Sequence, residues 1–141
     1  MKIVVVQQMQ SHLNKIRDFV AKKNSSLADD IFWTNDPLSV GLVSREEVLV
    51  ISGNVFNSRL NNANVFGARI KEMNPEALFF VFSLEPPYAF IPRAIDGIIP
   101  KRLFRDEDYK YLAEILLSDL KGATPQKIKE KFPQVRIIEW K

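Results

Sequence analysis

The sequence predicts an α/β fold built on a doubly wound, five-stranded parallel sheet, and two patterns support this. First, the chain contains short, continuous apolar runs, of which Val48–Ser52 is the clearest. Such runs suit strands that helices cover on both faces. Second, five of these runs alternate with helical patterns over about 120 residues. Because open α/β sheets bind ligands at the carboxyl ends of their strands, we expect function to be decided around Ser52.

The helices are predicted from apolar residues at helical spacing and from residues that cap or end a helix. Leu13, Ile16 and Val20 recur at that spacing. Asn74-Pro75 ends a helix, since the residue before proline disfavours helical geometry. In chain order, the predicted elements are strand Ile3–Val6, a helix from a Ser11 cap to about Lys23, strand Ile31–Trp33, a short helix from Asp36-Pro37 to about Val43, strand Val48–Ser52, a helix from about Val65 to Met73, strand Leu78–Phe82, strand Gly97–Ile99 and a helix from Asp106 to about Leu120.

Composition bounds the class of protein. A chain of 141 residues is expected to form one globular domain with a core of its own. Without cysteine, the chain has no disulfide, thiolate metal site or cysteine nucleophile. Since no apolar run approaches the ~18 residues of a membrane span and the N-terminus lacks a signal-peptide pattern, we expect a cytoplasmic location without membrane contact.

The charge is concentrated in the last 21 residues, which carry six basic and two acidic side chains. We therefore divide the chain into residues 1–121 and a basic extension, 122–141. The extension is predicted to hold a short helix from Thr124-Pro125 to Phe132 and a strand over Val135–Trp140. Because that strand is too apolar to remain an exposed edge, we expect it to pack on the body. Nucleic-acid binding through the basic tail is an alternative, but no recognised DNA-binding motif supports it.

Residues 1–121 resemble the receiver domains of two-component response regulators, on three features. Asn74-Pro75 precedes an apolar strand that ends in the hydroxyl residue Ser83. The segment Ala94–Lys101 resembles the family's fifth-strand motif, whose terminal lysine contacts the phosphoryl group. The spacing from Gln8 to Ser52 matches that between the family's acidic pair and its phosphoacceptor aspartate. The resemblance implies the strand order 2-1-3-4-5.

The chain departs from the family at the acidic positions. Gln7 and Gln8 replace the acidic pair, and Ser52 replaces the phosphoacceptor. Mg²⁺ requires anionic oxygen ligands, which amides and hydroxyls do not supply. We therefore predict a degenerate phosphorylation pocket of Gln7, Gln8, Ser52, Ser83 and Lys101, without metal or cofactor. A simpler interpretation is that Gln7 and Gln8 are structural fillers, that both serines bond loop backbone, and that Lys101 is a surface lysine.

Two further hypotheses concern the surroundings of this pocket. Glu85 is the nearest acid and is expected to pair with Lys101. In the family, the region around the fifth strand and the last helix forms the output and dimer face. The resemblance therefore suggests that a protein partner, or a second copy of the chain, docks on the Pro86–Pro92 segment and the two elements beside it. The partner-binding residues predicted on this surface are Tyr88, Phe90, Ile98 and Tyr109.

These observations favour a phosphorylation-independent receiver-like module that acts by protein–protein interaction. The alternative is a flavodoxin-like domain that senses a small molecule or an anion. An enzyme is not expected, because the chain has neither GxGxxG nor GxxxxGK[ST], and no nucleophile is paired with a base. His12, the only histidine, has no catalytic partner suggested by the sequence.

Overall fold

A computed structural model describes residues 1–54, 56, 59–60, 62–84, 93–102 and 105–139. Within these ranges, a six-stranded sheet has the order β2-β1-β3-β4-β5-β6, with the first five strands parallel and the last antiparallel. The strands are β1 (Lys2–Val6), β2 (Phe32–Thr34), β3 (Val48–Ser52), β4 (Leu78–Ser83), β5 (Gly97–Pro100) and β6 (Arg136–Ile137). The helices are α1 (Gln10–Lys23), α2 (Ser25–Asp30), α3 (Ala63–Met73), α4 (Asp106–Leu117) and α5 (Pro125–Lys131). The predicted fold class and strand order are confirmed.

The continuous apolar runs are explained by two hydrophobic layers, one on each face of the sheet. Every residue of β3 is buried. Leu49 and Ile51 belong to the layer under α1 and α4, whereas Val50 belongs to the layer under α3. Since successive side chains of a strand point to opposite faces, both sets must be apolar. None of the helices in the described ranges is both long and apolar enough to cross a membrane.

The segment after β2 differs from the prediction. The expected helix to Val43 is wrong: only a 3-10 turn, Pro37–Ser39, forms there. Asp36 does cap this turn, because its carboxylate accepts a hydrogen bond from the N–H of Leu38 at 2.9 Å. Val40 then packs into the sheet from an irregular segment.

Three helices also differ at their ends, since α3 begins at Ala63 rather than at about Val65, and one short helix was not predicted. The cap of α1 is Met9, which makes no side-chain capping bond, rather than Ser11. Helix α4 ends at Leu117, three residues earlier than expected. The unpredicted helix is α2, which begins where the Asn24 carboxamide accepts the N–H of Leu27 at 3.0 Å.

Asp96 fixes the start of β5. Its carboxylate accepts hydrogen bonds from the N–H of Phe79 at 2.8 Å and from Nζ of Lys71 at 2.6 Å. Its own N–H donates to the carbonyl of Phe79 at 2.9 Å. Because β5 is only four residues long, this anchor sets the register that carries Lys101 to the opposite edge of the sheet.

The C-terminal extension packs on the body, as expected from its apolar residues. Strand β6 pairs with β5, with Ile137 opposite Gly97 and Arg136 opposite Ile98. Val135 is buried in the same layer as α4. The strand is shorter than predicted, and Trp140 lies outside the described residues. The division at residue 121 stays a prediction.

Gly97 allows this close approach, which leads to a prediction. A Cβ at position 97 would lie 2.3 Å from Cε1 of Phe80 and 2.9 Å from the carbonyl oxygen of Arg136. We expect Gly97→Ala to lower the free energy of unfolding by about 1–3 kcal/mol, because the core and β6 must shift. Urea denaturation followed by circular dichroism measures this change.

Gly41→Ala is the matched control, since a Cβ there meets no atom within 4 Å. Its stability should be unchanged or higher by up to about 1 kcal/mol, through lower entropy of the unfolded chain. Equal free energies of unfolding for the two variants would contradict the conclusion that the close packing around β5 requires glycine at position 97.

Candidate functional site

A cavity of about 490 Å³ lies at the carboxyl edge of the sheet, where Ser52 was predicted to mark the functional region. The strands β1, β3, β4 and β5 all end at this edge, so the residues that follow them converge. The described lining residues are Gln7, Gln8, Met9, His12, Gly53, Asn54, Phe82, Ser83, Leu84 and Lys101. Four of the five predicted pocket residues therefore line one cavity. The fifth, Ser52, directly precedes the lining residue Gly53 in the chain.

Gln7 is the most buried amide of the cavity, with 4% of its surface exposed. Its side chain packs over Gly53, where a Cβ would lie 3.3 Å from its Oε1. Glycine at position 53 thus leaves the room that this side chain occupies. The Nε2 group of Gln7 is buried and has no hydrogen-bond partner among the described residues.

Ser52 is fully buried at the end of β3. Its hydroxyl donates a hydrogen bond to the carbonyl oxygen of Gly53 at 2.7 Å. This hydrogen bond agrees with the simpler interpretation given above, in which Ser52 bonds loop backbone. Gln8, by contrast, is exposed at the cavity wall.

Lys101 is buried, with only 5% of its surface exposed, so it is not a plain surface lysine. Its Nζ lies 3.3 Å from Nδ1 of His12, and 5.3 Å and 5.1 Å from the ring centres of Phe82 and Tyr109. These aromatic faces stabilise an ammonium group. Burial lowers the pKa of Lys101, and the negative charge of Asp108 partly opposes that effect.

His12 belongs to the site although the sequence suggested no partner for it. It lies in the first turn of α1, five residues after Gln7, and so reaches the same edge. The pKa of His12 is lowered first by burial, then by the charges of Lys101 and Lys15. Because a lysine ammonium only donates, Nδ1 is the acceptor in this contact when Lys101 is charged and His12 is neutral.

The residues of the cavity do not fit the Mg²⁺ that the receiver fold implies. The lining residues at the described positions include amides, a hydroxyl and two basic side chains, but no carboxylate. No group of three or more His, Cys, Asp or Glu suited to a metal occurs in the part of the chain that the structure describes. A divalent cation in this cavity would be repelled by the charge of Lys101, and no carboxylate among the described lining residues would offset that repulsion.

The predicted partner-binding residues are only partly described. Ile98 and Tyr109 are both buried, so neither is available on the surface to a partner in this conformation. Tyr88 and Phe90 lie outside the described residues, as does Glu85, whose predicted pairing with Lys101 therefore stays a hypothesis.

Three lysines of the C-terminal extension donate hydrogen bonds to backbone carbonyls of the extension or of the segment before it. Lys127 donates to the carbonyl of Gly122 at 3.3 Å, Lys129 to that of Val135 at 2.8 Å, and Lys131 to that of Asp119 at 3.3 Å. These lysines thus stabilise the ends of α4 and α5 and the turns beside them.

Comparison with known proteins supports the fold. The sequence matches no protein-family model and no curated protein. The chain is similar in structure to the isolated REC domain of RcsB from Salmonella enterica serovar Typhimurium in the presence of phosphomimetic BeF3−, with a TM-score of 0.54 and 14% identity over 92% of this chain and 96% of that one. It is also similar to RcsB of the same organism bound to promoter rprA, with a TM-score of 0.53 and 13% identity over 95% and 86% of the two chains. The chain therefore has a receiver-like fold.

The contact between His12 and Lys101 gives a titration prediction. By NMR, the pKa of His12 should lie below its ordinary value of 6.5. Lys101→Met should raise this pKa, because it removes a neighbouring positive charge, and Lys15→Met should raise it less. Both variants should remain below 6.5, since burial is the largest cause.

The same shift predicts a dependence of stability on pH. The unfolded chain binds a proton at His12 more readily than the folded chain, so stability contributed by this group is lost as the pH falls through about 6.5. A His12 pKa above 6.5 in the folded protein would contradict the contact geometry.

Proposed function

We propose that this chain is a phosphorylation-independent receiver-like module that acts by binding another protein, in two-component-type signal transduction or transcriptional regulation. The observation that carries the proposal is the chemistry of the cavity. At the positions where the receiver resemblance expects three carboxylates, the chain has Gln7, Gln8 and the buried Ser52. The chain thus keeps a receiver-like fold, while the three carboxylates that the resemblance expects for phosphorylation are replaced.

Phosphoryl transfer to Ser52 has no support in the geometry. The Ser52 hydroxyl is fully buried and donates to the neighbouring carbonyl. A serine nucleophile needs a general base within hydrogen-bond reach. The basic groups described at this edge, His12 and Lys101, contact each other instead.

A partner most readily meets the exposed face of α4. Its first turn carries Asp106 and Glu107, and Lys110 and Glu114 are exposed further along the helix. Exposed charges of both signs suit a polar interface in which electrostatics set the choice of partner. The edge of β5 is less accessible, because β6 pairs with it.

An NMR titration of the whole chain with Mg²⁺ followed by BeF3− tests the proposal. We expect no localised, saturable amide shifts at Gln8, Gly53, Ser83 or Lys101 at millimolar Mg²⁺, since the cavity offers no anionic ligand. The double variant Q7D/Q8D should gain shifts at these residues, because it supplies two carboxylates. Saturable Mg²⁺-dependent binding of BeF3− by the unmodified chain would overturn the proposal.

A matched control guards against a general effect of added charge. The variant Q126D/Q134D introduces the same two charges on the exposed Gln126 and Gln134, neither of which lines the cavity or neighbours a lining residue in the chain. It should bind Mg²⁺ no better than the unmodified chain. If the control gains the same shifts as Q7D/Q8D, the gain does not report on the cavity.

A further inference from the structure

We infer that a groove beside β2 docks an amphipathic helix of another protein, one that carries basic residues beside its apolar stripe. The groove lies on the opposite face of the sheet from α4, because its lining residues Val4 and Val40 belong to the layer under α3. This partner surface is therefore additional to the α4 face, and it does not depend on the chemistry of the cavity at the carboxyl edge. Three features support it: incomplete helical cover, exposed apolar side chains and acidic charge.

The connection from β2 to β3 leaves one end of the sheet without a covering helix. Parallel strands are usually joined by a helical crossover that packs on a face of the sheet. Residues 35–47, a segment that the structure describes in full, form only the 3-10 turn Pro37–Ser39. Val40 is the buried residue that follows this turn, and β2 pairs with β1 alone. Since helices are the elements that cover the face of a parallel sheet, a helix from a partner fits this place.

An apolar groove of about 120 Å³ lies at this place. Its lining residues are Lys2, Val4, Phe32, Ser39, Val40 and Gly41. Phe32 is 43% exposed, and Leu38 and Val43, which are close to lining residues in the chain, are 50% and 69% exposed. These are three of the six large apolar side chains that the described residues expose, and such a concentration is typical of an interaction site. Small-molecule sites usually exceed ~300 Å³, so this groove suits one anchoring side chain of a larger partner.

The surface around the groove is acidic, although the chain has a net charge of +3. Residues 25–47 carry five acidic side chains and one basic side chain. Asp30 and Asp36 lie two residues before and two residues after β2, are exposed, and form no ion pair with another described residue. The charge of Lys2 in the groove wall is offset by Glu46, whose carboxylate oxygen lies 4.0 Å from its Nζ. Charge complementarity therefore favours a partner with basic residues.

The first test titrates the whole chain with a peptide of about four helical turns, made of Leu and Lys, whose leucines form one stripe. One control peptide has Glu in place of each Lys, and another has the same composition without a stripe. By amide NMR, we expect saturable shifts at Phe32, Ser39 and Gly41 with the Leu–Lys peptide, and at least about tenfold weaker binding of both controls. No saturable shift at these residues, or equal binding of the Leu–Glu peptide, overturns the inference.

The second test fills the groove with Gly41→Leu. Gly41 lines the groove, and a Cβ there meets no atom within 4 Å, so the larger side chain enters the groove rather than the core. Affinity for the Leu–Lys peptide should fall by at least about tenfold, while the urea midpoint stays that of the unmodified chain. Gly41→Ala should leave the affinity unchanged, and equal affinities of the two variants overturn the inference. Should Gly41→Leu not fold, the comparison of the three peptides still decides.

The third test removes one acidic charge with Asp36→Asn, which keeps an oxygen that can cap the turn. Affinity for the Leu–Lys peptide should fall by about two- to fivefold and depend less on salt. Asp119→Asn is the matched control, since the carboxylates of Asp36 and Asp119 each accept the N–H two residues further along the chain. This control should bind the peptide as the unmodified chain does. Equal effects of the two substitutions overturn the inference.

Discussion

The structure depends on the burial of β3 on both faces and along both edges. Its five residues are all buried, and it pairs with β1 on one side and β4 on the other. A strand enclosed in this way has no freedom to slip, since a shift by one residue would exchange its two apolar faces. The carboxyl ends of its neighbours are fixed with it. The positions of Gln7, Gly53 and Lys101 around one cavity therefore follow from core packing rather than from local loop structure.

The electrostatics of that cavity follow from the residues that converge on it. Without carboxylates among the described lining residues, Lys101 is held by His12, by two aromatic faces and by the charge of Asp108 on α4. Burial nevertheless lowers the pKa of Lys101, because it is the largest of the effects on this group. The described lining of the cavity therefore lacks the anionic ligands that a divalent cation needs.

The sequence predicted the elements that depend on the hydrophobic pattern. It did not predict contacts between residues that are distant in the chain, or the extent of short elements that depend on a capping residue. The core strands needed only the apolar runs and their alternation with helices, whereas the strand order came from the resemblance to receiver domains. The predicted helix to Val43 failed because Asp36 and Pro37 start a turn, but Gly41 and the β-branched Val40 and Val43 do not continue one. The pairing of His12 with Lys101 spans 89 residues, so no local signal contains it. The predicted start of α1 at Ser11 is the one sequence signal that could have placed His12 at this edge.

The C-terminal extension decides which surfaces remain for a partner. Because β6 pairs with β5, the edge of β5 is not open to a strand of another chain. Burial of Tyr109 removes it from the surface but gives it another role, since its ring lies 5.1 Å from Nζ of Lys101 and 5.6 Å from the ring of His12. Tyr109 belongs to α4, whose opposite face exposes Lys110 and Glu114. The Tyr109 ring therefore connects the cavity residues Lys101 and His12 with α4, the helix proposed to meet the partner.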